Sequence, residues 1–129
     1  ARRLIFKGGR GEGKDISLLH LKNDTICSVF EGYMDFLSFL SHNHTDGHDR
    51  SYIILNSLAL RSRLDTIFSE YQFREVHLYL DHDESGRLAT EALQSLDPTR
   101  MIDKSGLYLG HKDYNAWWMS KKDMPYAHD

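Results

Sequence analysis

One cysteine, little positive charge and no long apolar run set the first limits on this chain. Cys27 has no second thiol to pair with, which excludes an intramolecular disulfide, and its place inside the apolar run "ICSVF" favours a reducing cytoplasm. No apolar stretch approaches membrane-spanning length, and the amino terminus lacks the charged, apolar and small-residue succession of a secretory signal. Lysine and arginine number 16 against 19 aspartates and glutamates, a net charge of −3. That is not the charge of a protein that holds nucleic acid by bulk electrostatics. A polyanionic partner would need local help, from a divalent cation on clustered carboxylates or from basic surfaces on other parts of a longer protein. Eight histidines add some positive charge in mild acid. The first residue is Ala1, from which we expect a piece excised from a longer chain.

What is present is the material of one folded domain. The 129 residues suffice for one sheet with covering helices, and 40% apolar with 27% charged residues is the balance of a globular chain rather than a disordered one. Residues 1–24, with two apolar runs around "GGRGEG", read as a peripheral hairpin or extension, and residues 25–129 as the domain proper. From there strands and helices alternate. "ICSVF", "SYIIL" and "VHLYL" read as strands, and "RMID" as a short fourth. "YMDFLSFLSH" places Met34, Phe36, Leu37 and Leu40 near helical spacing, "LALRSRLDTIFSEY" carries Leu60, Leu64 and Ile67, and "ESGRLATEALQSL" carries Leu88, Ala92 and Leu93 before Asp97 and Pro98 end it. "YNAWWMSKK" reads as a final helix. Such alternation predicts parallel β-α-β units with right-handed crossovers, an α/β/α sandwich around a small, mainly parallel four-stranded sheet.

In such a sheet ligands sit outside the carboxyl ends of the strands, so the residues that follow each strand are the ones to inspect. They are Glu31 and Gly32, then Asn56 and Ser57, then Asp81, Asp83 and Gly86. Asp81 and Asp83, two apart on an extended backbone, face the same way, and Glu31 can reach the same point from a neighbouring strand. Without a counterion they would repel. Magnesium suits them: it is hard, prefers oxygen ligands and binds through one or two carboxylates plus substrate phosphates. Gly86 permits close approach of a backbone or a phosphate, and the helix opening near Glu84 presents free amides. The plainer alternative is that Asp83 only caps that helix and Asp81 is a solvated loop acid.

"VFEGYMDFLS", "YLDHDESGRLATEAL" and "LGHKDYNAWW" together resemble the Toprim domain, the metal-binding catalytic fold of bacterial primases, type IA and II topoisomerases and several nucleases, over roughly residues 25 to 118. The match is closest to the bacterial replicative primase and its plasmid- or transposon-borne relatives. The resemblance implies a Toprim-like three-layer sandwich with Glu31, Asp81 and Asp83 as catalytic residues. The same three acids with Asp113 would be the metal ligands, and Mg2+ the cofactor, with Mn2+ as a substitute. Gly32, Asn56, Gly86, Arg87 and Lys112 would contact substrate or phosphate, with Asp35 and Asn115 auxiliary. Asn115 stands where primases have a second acid, and Asn56 with Ser57 where they commonly have glycine and threonine.

The function implied is nucleotidyl transfer in primer synthesis by the catalytic domain of a bacterial, cytoplasmic DNA primase-like enzyme. Its partners would be a single-stranded DNA template, nucleoside triphosphates, zinc-binding and basic template-binding domains of the parent protein, and a helicase; no membrane is involved. This chain has no zinc-ligand cysteines and no basic subdomain before Glu31, so little primer synthesis is expected from it alone. Three other readings compete. A Toprim nuclease would use the same carboxylates, and a non-catalytic interaction module would keep them for folding. A haloacid-dehalogenase-type phosphatase is imitated by "DHDES", but only 46 residues follow Asp83, short of the later strands that family needs.

Lesser features have plainer explanations. Gly8, Gly13 and Lys14 follow P-loop spacing, yet Asp15 takes the place of the magnesium-binding hydroxyl, which favours a polar hairpin turn. His42, His44 and His48 lie among turn residues without a cysteine, which favours a solvated loop over a zinc site. Trp117 and Trp118 are candidates for base stacking, with at least one expected in the core. Arg61, like Arg87 and Lys112, is either a phosphate contact or solvated surface.

Overall fold

The computed structural model describes residues 3–5, 16–56 and 62–122, with the backbone alone for residues 3–5 and 62. Six strands form one sheet in the order β1-β2-β4-β3-β5-β6. They are β1 (Arg3–Ile5), β2 (Ser17–Leu19), β3 (Ile26–Phe30), β4 (Ser51–Ile54), β5 (Glu75–Tyr79) and β6 (Met101–Asp103). The helices are α1 (Tyr33–Asn43), α2 (Ser62–Glu70), α3 (Glu84–Leu96) and α4 (Tyr114–Lys122). β4, β3, β5 and β6 run parallel, and these are the four strands expected. The sheet is larger than four strands because β2 pairs antiparallel with β4, and β1 with β2. The opening segment is therefore more than peripheral: Ile16 and Leu18 are buried in the main core.

The strands bury both faces, as parallel strands covered on two sides must. Cys27, Val29, Ile53, Leu55, Val76, Leu78 and Leu80 face one side, where Leu64 and Ile67 of α2 and Ala89 and Leu93 of α3 cover them. The alternate positions Phe30, Tyr52, Ile54 and Tyr79 face the other, with Phe36 and Phe39 of α1 and Tyr114 of α4. That second core is aromatic, and Phe30 and Tyr79, register partners on β3 and β5, stack at 5.0 Å.

Helix faces differ from their sequence spacing in two places. On α1, Met34 and Leu37 are 56% and 38% exposed, while Asp35, Ser38 and Phe39 turn inward. The cause is polar: Ser38 Oγ donates to Asn115 Oδ1 at 2.9 Å, and Asp35 accepts from the Asn115 backbone, fixing the rotation of α1 against α4. On α3, Leu88 is exposed, and Thr90 is buried with its hydroxyl bonded to the Gly86 carbonyl. The P-loop-like residues Gly8, Gly13, Lys14 and Asp15, together with Ser57, Leu60 and Arg61, lie outside the described residues.

The chain leaves β3 into α1 on the aromatic side and leaves the adjacent β5 into α3 on the opposite side. Neighbouring parallel strands whose following helices lie on opposite faces open a crevice between their carboxyl ends. Glu31 and Asp81 sit there.

Candidate metal centre

Glu31 is held in this crevice by a backbone. Its Oε2 accepts from the Asp81 N–H at 2.9 Å, and the carboxylate packs against Gly86 in the first turn of α3. A Cβ at position 86 would overlap the Asp81 carbonyl oxygen and come within 2.8 Å of Glu31 Oε2, so only glycine fits. The close approach anticipated for Gly86 is thus filled by the protein's own backbone.

The acids then divide by location. Asp35, Asp81 and Asp113 each present a carboxylate oxygen within 4.8 Å of the others, the one such group of acids, histidines or cysteine among the described residues. Asp35 comes from the first turn of α1 and Asp113 stands just before α4, where its Oδ1 accepts from the Ala116 N–H at 2.8 Å. Asp35 Oδ1 accepts from the Asn115 N–H at 2.9 Å. Glu31 lies outside the trio but within electrostatic reach of it. Asp83 is also outside: it caps α3 by accepting from the Gly86 N–H at 2.8 Å, while its charge still acts on Glu31 and Asp81.

Burial and crowding raise the proton affinity of these groups. Burial pushes Asp81 up to about 7, helped by Glu31, Asp35, Asp113 and Asp83. Asp35 is raised to about 6, again chiefly by burial, with the Asn115 N–H pulling the other way. Glu31 is raised by burial against the opposing Asp81 N–H bond, with Asp83 adding to the rise and Lys112 reducing it. Asp81 Oδ1 is buried and has no hydrogen-bond partner among the described residues. Three clustered carboxylates, one of them carrying a buried oxygen without a partner among the described residues, are the donor set a hard divalent cation takes, and the three residues fit one.

A cavity of ≈ 690 Å³ reaches Asp81, the one member of the trio in its lining, and is bounded further by His82, Asp83 and Glu84, by Arg87 and Thr90 of α3, and by Asp103 and Ser105. Arg87 is exposed at this wall and paired with Glu91 at 3.0 Å. Lys112 is exposed, and its carbonyl accepts from the His82 N–H. Gly32 is the extended residue before α1. Asn56 has a positive φ of 61°, donates its backbone N–H to the Glu31 carbonyl, and turns its side-chain amide to Ser17 Oγ and the Ile54 carbonyl. Asn115 points its side chain at Ser38, away from a ligand role.

The histidine-rich loop forms no ligand group among the described residues: His42 bonds Tyr114 through Nδ1, and His48 lies against His20. Trp117 and Trp118 both pack on the aromatic core. Sequence reasoning missed His82, whose ring bonds the His111 carbonyl; only its place between two candidate acids could have drawn attention to it.

The Toprim-like family model matches residues 28–117. Among solved structures, the primase fragment of the bacteriophage T7 primase-helicase protein is similar with a TM-score of 0.64 at 26% identity, over 83% of this chain and 45% of that one. A structure of bacteriophage T7 lagging-strand DNA polymerase interacting with primase domains of two gp4 subunits, bound to an RNA/DNA hybrid and dTTP, is similar in fold. Its TM-score is 0.62 at 24% identity, over 83% of this chain and 55% of that one. The chain thus spans about half the length of the structures it matches. No curated protein sequence matches it. With most of its length under that family model and its fold shared with a primase fragment, the chain belongs to the Toprim-like family, as a Toprim domain of the primase type.

Proposed function

We propose that this chain is the catalytic domain of a DNA primase-like nucleotidyltransferase of bacterial type, binding Mg2+, with Mn2+ as a substitute. The observation that carries the reading is the meeting of Asp35, Asp81 and Asp113, of which Asp81 has a buried oxygen without a hydrogen-bond partner among the described residues and borders an open cavity. Asp35, Asp81 and Asp113 would hold the cation, which when bound supplies charge neutralisation for a triphosphate and polarisation of the reacting hydroxyl. Glu31, with raised proton affinity and one oxygen committed to the Asp81 N–H, is suited to hold or accept a proton at its other oxygen, Oε1. Asp83 fixes the start of α3 and so the wall of the cavity. Arg87, in the lining of the cavity, would contact substrate, as would Gly32 and Lys112, and Asn56 supports the Glu31 turn from just after β4.

The chain's partners would be single-stranded DNA, nucleoside triphosphates, and the zinc-binding, basic and helicase parts of a longer protein. Little primer synthesis follows from these residues alone. The buried free thiol of Cys27 supports a cytoplasmic setting, and no helix among the described residues is long and apolar enough to cross a membrane.

A magnesium titration followed by residue-resolved shifts tests the reading. Saturable shifts around Asp35, Asp81 and Asp113 are expected in wild type and not in Asp81→Asn. The same absence in both would sink it. Cleavage of DNA or RNA with manganese, abolished by Glu31→Gln, would instead identify a Toprim nuclease.

A further inference from the structure

His82 stands between the two aspartates that follow β5, and it donates twice to the loop before α4. Its backbone N–H bonds the Lys112 carbonyl at 2.7 Å, and its Nδ1 lies 2.7 Å from the His111 carbonyl. A carbonyl only accepts, so Nδ1 carries a proton. The ring packs against Tyr108 with centroids 4.9 Å apart, and Tyr108 is itself buried and bonded through its hydroxyl to the Leu80 carbonyl. Among the described residues these two His82 bonds are the hydrogen bonds that join residues 81–83 to residues 111–113.

Each of those segments contributes one acid of the trio, Asp81 from the first and Asp113 from the second. Their like charges push the loops apart, and His82 ties the loops together at residues 111 and 112, just before Asp113. We infer that His82 is a positioning residue that holds Asp113 against Asp81 and so keeps the cation site formed before any cation arrives. The inference rests on the metal reading above and adds to it a residue outside the acids themselves. The ring bond is the part a substitution can remove; the backbone bond survives any side chain.

The test compares His82→Leu, which keeps bulk without a donor, with His82→Asn, whose Nδ2 takes the place of the ring Nδ1 and can still donate. Manganese affinity is measured by paramagnetic resonance, and amide hydrogen exchange at residues 111–113 is followed in the metal-free protein. Outer-sphere partners of a metal site typically contribute about tenfold or more to affinity. His82→Leu is therefore expected to bind manganese about tenfold more weakly and to exchange faster at residues 111–113, with His82→Asn close to wild type in both. Equal manganese affinity and equal exchange in the leucine variant and wild type would overturn the inference, as would an asparagine variant as impaired as leucine while retaining the wild-type melting temperature. If wild type itself bound no manganese, the metal reading would fall, and the exchange comparison would still decide whether His82 joins the two loops.

Discussion

Glu31 accepts the backbone N–H of Asp81, so an acid after β3 is fixed by the main chain of the second residue past β5 rather than by a basic side chain. The geometry separates two roles that substitution can tell apart. Glu31→Gln keeps an oxygen for that N–H and removes only the charge; we expect the fold to persist while the proposed nucleotidyl transfer slows by about a hundredfold or more. Glu31→Ala leaves the N–H unpaired, and urea unfolding should show a loss of about 1–3 kcal/mol.

Metal-free stability should fall from mild acid toward neutral pH at this site. An acid that binds its proton more tightly in the fold than in the unfolded chain stabilises the protonated fold. The contribution of Asp35 and Asp81 is therefore fully present below about pH 4, the ordinary aspartate value. It is lost as pH rises through about 6 for Asp35 and about 7 for Asp81. With allowance for the solvent reaching both groups, the shift in Tm is on the order of 5 °C. Saturating magnesium should reverse the slope above neutrality. Thermal melts across this range, with chelator and with magnesium, check both arms.

Asp81→Asn separates folding from function in the opposite sense. Removing the most crowded charge should leave the metal-free protein as stable as wild type or more so near neutral pH, by about 1 kcal/mol. The stabilisation that grows with the logarithm of magnesium concentration should disappear. A variant still stabilised by magnesium as wild type is would place the cation elsewhere.

Gly86→Ala should be among the most damaging single-methyl additions in the chain. The new Cβ would strike the Asp81 carbonyl and Glu31 Oε2, backbone on one side and an anchored carboxylate on the other. We expect a loss of about 3 kcal/mol or more in unfolding free energy, with metal affinity falling alongside it.

Asn115→Asp should fail to create a second cation site, although it restores the acid that primases carry. Its side chain is bonded to Ser38 and its own N–H serves Asp35, so the added charge would lie beside an acid already raised to about 6. Manganese stoichiometry should stay unchanged and the metal-free Tm should drop.

The sequence was informative wherever local pattern decides. The bounds of α3 follow from its capping acid and from Asp97 and Pro98, and the three main strands from their apolar runs. The rule that parallel strands end at one edge suffices to single out Glu31 and Asp81 from the sequence. Packing between distant segments was not legible. The inward turn of Asp35 depends on the Asn115 contact 80 residues away, and the exposure of Met34 and Leu37 follows from it. The place of β2 is not legible locally, because its three residues gain it by pairing with β4 and β1 and by burying Leu18.

Glu31 and Asp81 are 50 residues apart in sequence, and Asp35 and Asn115 are 80 apart. An unfolded chain, or a fragment that stops short of α4, therefore has no preassembled chelate to offer, and divalent ions can exert little pull on the earliest steps of folding. Cation uptake at the proposed site would be a late event, a readout that the last helix has docked.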